Sequence, residues 1–475
     1  MNPVPPPDAP ALYARALWEA GEDLAWLEDA SAGTAVIGTG PRVGAGEWEA
    51  AMGALPAGTR STQPGLGWVG FVDFAWMLGR LGLGAVNEPA SAFLRIRGAL
   101  AFGVDGARWI QEEPGETPPD AAGPGPAARL ADARATAEAR LLAALRSAEG
   151  PAQPAPSAAA PAAAPAAAPA APGEPGEPGR ATQALAVGPS AASSQTQPAD
   201  PAARAVWRQD GAGYALAVRE ILARIADGDA YVVCLTTAVD VPGAFDALET
   251  FLALRAAHPT HHLALIRIGD VALVAASPEL FLRVEGGRRA TTVPIKGTRP
   301  RGATPAEDAA LAAELAADPK ERAENLMVVD VARNDLSRVC EPGSVAVPRF
   351  REVESYPGVH QLVSEVSGTL RQGTSVLEVL GSLAPGTSMT GAPKRRAAQI
   401  AASLEPGGRG IYSGAFGWIG AGGCLDLAMS IRCAVITPER AMIGVGGGIT
   451  ADSVPEAEWA EARLKARATL AALRH

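Results

Sequence analysis

A tract made almost entirely of proline, alanine and glycine, Pro151 to Gly179, interrupts this chain, and a Ser/Gln-rich stretch extends it to about Ala203. Such a composition cannot bury enough apolar surface to offset the entropy of ordering it. A Pro-rich segment of this kind stays extended and acts as a spacer. The 475 residues are therefore expected to divide into an N-terminal region, 1–148, a low-complexity linker, 149–203, and a compact body, 204–475. Much of the chain's glycine and proline belongs to the tract. With 48% apolar residues, there is ample material for a large core.

Several classes are excluded by what else the chain carries. A net charge of −10, no basic block and few aromatics argue against nucleic-acid binding. No apolar run reaches the roughly 18–20 residues a membrane helix needs. The start has neither a basic nor an apolar signal segment. Cys234, Cys340, Cys424 and Cys433 form no CxxC pair, so reduced thiols in a cytoplasmic protein are expected. Of 41 basic residues only Lys296, Lys320, Lys394 and Lys465 are lysine. A lysine kept against that bias is a candidate for chemistry that a guanidinium, which stays protonated, cannot copy.

Pattern and punctuation predict helices over 127–148, 214–226, 304–317 and 319–338, another after Pro393, and a last one over 453–473. Strands are predicted at 230–237, 263–268, 271–275, 280–284, 411–419, 425–436 and 441–445, with a hairpin turn at 285–288. Asp318 and Ser453 read as N-terminal caps.

The densest chemical signal is Val293-Pro294-Ile295-Lys296-Gly297-Thr298-Arg299-Pro300-Arg301-Gly302. Two arginines close to Lys296 would lower its pKa and activate it as a nucleophile; equally, they could hold a carboxylate, or the segment could be a solvated basic loop. Glu321 and Glu324 share one helix face, and Glu458 and Glu461 repeat the spacing on the last helix. Four carboxylates could converge on a hard cation such as Mg²⁺, or they could be ordinary first-turn acids. Gly386 to Lys394 leads into a helix N-terminus suited to an anion. Val445-Gly446-Gly447-Gly448-Ile449 permits close backbone approach to a ligand, although a tight turn explains it equally simply. The His258, His261 and His262 cluster reads as a surface loop. Gly422-Gly423-Cys424-Leu425 is no nucleophile elbow, so no glutaminase is visible.

Together these motifs resemble the chorismate-utilising enzymes, and within them the aminodeoxychorismate synthase component I group. The likeness rests on Ser277-Pro278-Glu279, Pro294 to Thr298, Ala323-Glu324-Asn325 through Asp330 to Leu336, Thr390 to Lys394, Val445 to Ile449 and the Glu458/Glu461 helix. Trp26-Leu27-Glu28-Asp29-Ala30 resembles the segment lining that family's tryptophan pocket. The resemblance implies an α/β (α+β) sandwich of two interleaved lobes, with central antiparallel sheets and outer helices. It implies Mg²⁺ held by Glu324 and Glu461, with Glu321 and Glu458 on its waters. Chorismate would be framed by Gly297, Thr298, Ser388, Tyr412, Arg432, Gly446, Gly447 and Gly448, with Arg432 on the enolpyruvyl carboxylate. Lys296 would add at C2 of the ring and Glu279 would protonate the departing C4 hydroxyl. Ammonia, from a separate glutamine amidotransferase subunit, would then attack C4. Anthranilate synthase component I, which has Ala in place of this lysine, is the nearest rival; a weakly catalytic regulator that binds chorismate or tryptophan is another. Val232 stands where isochorismate synthases carry a lysine base. Relatives place a histidine where this chain has Gln361, with His360 one residue earlier. A one-residue offset turns a side chain to another face, so His360 is expected to be structural, leaving acid work to Glu279 or a substrate hydrogen bond to Gln361.

Overall fold

The computed structural model describes residues 9–111, in runs broken at 20–21, 44, 56, 59–66, 73, 82, 84–91, 97 and 104–105, and residues 200–475 apart from 287, 357, 421 and 475. The helix predicted over 127–148 and nearly all of the low-complexity tract lie outside these residues. Pro201–Arg204 is already a short helix, capped by Asp200.

Two large antiparallel sheets form the centre. The first contains Val232–Pro242, Arg440–Ile449, Cys433–Ile436, Val271–Ser277 and His262–Ile268, and continues through Leu24–Asp29, Thr34–Gly38, Gly98–Gly103 and Gly106–Gln111. The second runs from Ile295–Pro300 through Val359–Thr369, Arg289–Val293, Leu280–Glu285, Leu425–Met429 and Ala415–Ile419 to Gly67–Val72, Ala92–Ile96 and Arg42–Val43. Strands from both sides of the tract thus enter both sheets. Trp26 lies opposite Leu265 in one, and Phe71 opposite Phe416 in the other.

The two-residue period of the strands sorts side chains onto two faces. Ile266 and Leu273 face the second sheet, where they meet Leu282, Phe416 and Leu427. Leu265 and Val274 face outward, into a second core closed by Tyr214, Phe251 and Ala466 from outer helices. Those helices are Gly211–Ala226, Ala247–Ala257 and Pro455–Ala472. A strand covered on both faces loses its alternation, which is why Val232–Pro242 is buried along nearly its whole length. No helix among the described residues is long and apolar enough to cross a membrane.

Three sequence expectations need correction. The predicted strand over 425–436 is two strands in different sheets, Leu425–Met429 and Cys433–Ile436. The chain passes between the sheets at Ser430-Ile431-Arg432, where Arg432 takes a left-handed φ of 50°. The glycine run is no turn: it lies inside Arg440–Ile449, a strand beside Val232–Pro242. The last helix is not capped by Ser453. Val454 takes that position, and the Ser453 hydroxyl donates instead to Glu458.

Candidate active site

The site forms where a bulged strand, a glycine-rich strand and the crossing between the sheets meet. In Ile295–Pro300 the register against Val359–Thr369 shifts between Ile295 and Thr298. Gly297 occupies that bulge with a φ of 86°, and a β-carbon there would come within 2.9 Å of Leu315 and 3.0 Å of Glu321. A bulge of this kind re-aims the neighbouring side chain. Lys296 turns inward from it into a cavity of about 160 Å³. Glu279, Gly297, Thr298, Gln361, Ser388, Tyr412, Arg432, Gly446 and Gly447 line the same cavity. Gly448 lies just behind them: a β-carbon there would sit 3.3 Å from Lys296 Nζ and 3.7 Å from Glu324 Oε2. The glycine strand therefore opens a window between the lysine and the acids. Gly444 in the same strand makes room for the Tyr412 ring, which a β-carbon would overlap at 2.1 Å.

Two titratable groups face each other across this cavity. Burial raises the Glu279 carboxyl to about 7, against the partial opposition of Ser388 and Lys296. Burial works against charge on Lys296, but Glu324, Cys234, Glu279 and Glu461 outweigh it and hold the ammonium above its ordinary value. This overturns the expectation that neighbouring arginines depress Lys296. Arg299 pairs with Glu314 at 2.8 Å, Asp318 at 2.7 Å and, more distantly, Glu321 at 3.6 Å, and Arg301 with Asp308 at 2.6 Å. Those arginines build the loop. Arg432 opens onto the cavity; its carbonyl accepts from the Ala276 N–H at 3.1 Å, while its guanidinium makes no ion pair or hydrogen bond among the described residues. Its cation is free to take an anion.

Other residues are placed elsewhere. His360 is buried against Asp308 and Ser355, on the strand face opposite the cavity, whereas Gln361 lines it. Lys394 is not at an anion site. Its ammonium is buried, 2.5 Å from Asp335 and bonded to the carbonyls of Leu383 and Pro385. Val232 borders the glycine window, 3.4 Å from where a Gly448 β-carbon would stand.

The four acids gather beside this window from two helices, Pro319–Ser337 and Pro455–Ala472. Repulsion is visible within each pair. Burial and then Glu324 raise Glu321, while burial, and Glu461 beside it, raise Glu458 against the Ser453 hydrogen bond. Glu461 is lowered despite burial, because Lys465 binds it at 2.7 Å. Ammonium groups stand among the carboxylates, with Lys296 4.0 Å from Glu324 and Lys320 3.9 Å from Glu324 and 3.8 Å from Glu458. In this arrangement no three His, Cys, Asp or Glu side chains among the described residues close to a metal-binding distance. The donor set itself, all carboxylate and beside positive counter-charge, suits a hard divalent cation. Lys320 and Lys465 were missed by motif reading. The scarcity of lysine had already singled both out.

A second cavity, about 230 Å³, lies between the sheets and is lined by Leu27, Glu28, Asp29, His261, His262, Arg283, Trp418 and Asp426. His258 is exposed at the end of Ala247–Ala257, as expected of a surface loop, but His261 and His262 are not in one. His261 meets Ser31 and Asp29, and His262 bonds Asp426 at 2.9 Å. Trp26 points to the opposite face, its indole N–H donating to Glu28.

The model of a family described as chorismate binding enzyme matches residues 166–471. An aminodeoxychorismate synthase of Streptomyces pristinaespiralis is 48% identical over 274 residues, 58% of this chain and 38% of that protein. An anthranilate synthase component 1 of Methanothermobacter thermautotrophicus is 42% identical over 253 residues, 53% of this chain and 54% of that one. The matched stretch thus spans well under half of the first relative and about half of the second. The crystal structure of anthranilate synthase component I from Streptococcus pneumoniae superimposes with a TM-score of 0.66 at 23% identity, covering 94% of this chain and 90% of that one. The interleaved sandwich is therefore shared with a solved fold. With the family model matched over more than half its length, this chain belongs to the chorismate-binding enzymes.

Proposed function

We propose that the chain is the chorismate-aminating component of an aminodeoxychorismate synthase, making 4-amino-4-deoxychorismate for para-aminobenzoate formation. The observation that supports this most is the pairing in one cavity of a buried lysine, Lys296, with a carboxyl that burial raises to about 7, Glu279. Arg432 would hold the enolpyruvyl carboxylate, and Ser388, Tyr412, Thr298, Gln361 and the glycines would frame the ring. Lys296 would add at C2, and it must first give up its proton, because only the free amine is a nucleophile. Glu279, kept partly protonated at neutral pH because burial raises its carboxyl to about 7, would deliver its proton to the leaving C4 hydroxyl. Ammonia from a partner glutamine amidotransferase would then attack C4 and expel the lysine. Mg²⁺, when bound by Glu324 and Glu461, with Glu321 and Glu458 acting through water, would fix the ring carboxylate and offset its charge. The second cavity is where tryptophan would bind if the chain takes it.

Anthranilate formation is the second reading, supported by relatives of that name at 42% identity. Mass analysis of products from chorismate, ammonium salt and Mg²⁺ separates the two. The wild-type protein should give aminodeoxychorismate, and anthranilate with pyruvate as its main product would refute the proposal. Lys296→Ala and Lys296→Arg should each lower aminodeoxychorismate formation by about 10³-fold or more, as loss of a covalent nucleophile does.

A further inference from the structure

Lys320 is the one side chain among the described residues ion-paired to carboxylates of both acid-bearing helices. Its ammonium lies 3.9 Å from Glu324 on its own helix and 3.8 Å from Glu458 on Pro455–Ala472. Neither distance is a hydrogen bond, so the attraction is through charge alone. The other two ammonium groups at the cluster are fixed in place. Lys465 donates to the Gly446 carbonyl at 2.8 Å as well as binding Glu461, and Lys296 is enclosed in the cavity. Lys320 is different: its side chain is 43% exposed, on a flexible stem with open solvent beside it. It neutralises repulsion among the acids, yet it can leave without breaking a hydrogen bond.

We infer that Lys320 is a built-in, displaceable counter-ion: it occupies the positive position between the two helices in the metal-free protein and competes with the divalent cation for Glu324 and Glu458. This rests on the Mg²⁺ reading above and adds a residue that sets the affinity and keeps the empty cluster from flying apart. Two consequences follow from charge alone. Removing the ammonium should favour the cation, because it no longer has a competitor. It should also destabilise the metal-free protein, because the carboxylates lose their counter-charge.

The test is calorimetric titration of Mg²⁺ alone into chelator-stripped wild-type, Lys320→Gln and Lys320→Arg proteins, with thermal unfolding measured with and without the ion. Lys320→Gln should bind Mg²⁺ roughly fivefold more tightly, as expected when two partly exposed ion pairs no longer compete. Its metal-free form should melt lower than wild type, so Mg²⁺ should raise its midpoint by more. Lys320→Arg keeps the charge and should bind like wild type, which also shows that the site tolerates substitution. Unchanged or weaker Mg²⁺ binding by Lys320→Gln overturns the counter-ion role alone. An absence of Mg²⁺ binding by the wild-type protein overturns the metal reading and this inference with it.

Discussion

Glu279 is where burial has the clearest consequence. Its carboxyl titrates near pH 7 in the folded chain against 4.5 for an ordinary glutamate. Because the folded state prefers the protonated form, stability is full below about pH 4.5 and declines as pH rises through 7. The charged form should cost on the order of 3 kcal/mol at pH 8. Glu279→Gln should therefore be close to wild type in thermal midpoint at pH 5 and more stable at pH 8, while losing about 10²–10⁴ in turnover as a missing general acid. A midpoint difference that does not change with pH would show that Glu279 is not held neutral. The identities of the residues lining the cavity were legible in the sequence, because Lys296, Glu279 and the glycines sit in motifs. The charge state of Lys296 was not. Arg299 and Arg301 are near it in the chain but pair with Glu314, Asp318 and Asp308, while the groups that raise it against burial, Glu324, Cys234, Glu279 and Glu461, come from other parts of the fold.

At the level of elements, strands carrying ordinary apolar runs were legible and those solving a polar problem were not. Val359–Thr369 contains His360, Gln361, Ser364 and Ser367, all buried. They are tolerated because partners exist across the fold, such as Asn325 accepting from Ser364 at 2.6 Å, and no local pattern reveals those partners. Ala346–Ser355 carries Pro348, Arg349, Arg351, Glu352 and Glu354 among scattered apolar residues, so it too lacks a clean apolar signature. The break at Ser430–Arg432 went unseen because two strands in different sheets abut with only three residues between them. The glycine strand makes a sharp prediction. A β-carbon at Gly446 would stand 2.2 Å from the Leu235 carbonyl, which is backbone and cannot swing aside. Gly446→Ala should lose about 1–3 kcal/mol of stability and most activity. Gly408→Ala, where nothing lies within 4 Å, should change neither. Denaturant midpoints and turnover on the two variants check this.

On the scale of the whole molecule, the interleaving makes the two ends of the chain dependent on each other. Residues 200–475 expressed alone would lack Leu24–Asp29 beside His262–Ile268 and Gly67–Val72 beside Ala415–Ile419. Two internal strands would become bare edges, which template aggregation. That fragment should be insoluble or molten, and supplying residues 1–111 in trans should restore a cooperative melt. A soluble, cooperatively melting 200–475 fragment would show that the body folds without its N-terminal strands. The interleaving was legible only through family likeness, since strand order across a tract of low complexity leaves no local trace. The lysine distribution has a different kind of consequence. The chain has four lysines; three surround the acidic cluster and the fourth is buried against Asp335. Side-chain primary amines are thus nearly absent from the rest of the surface, and Lys320 is the most open of them, so an acylating reagent that reads amines would act on this molecule as an almost site-directed label.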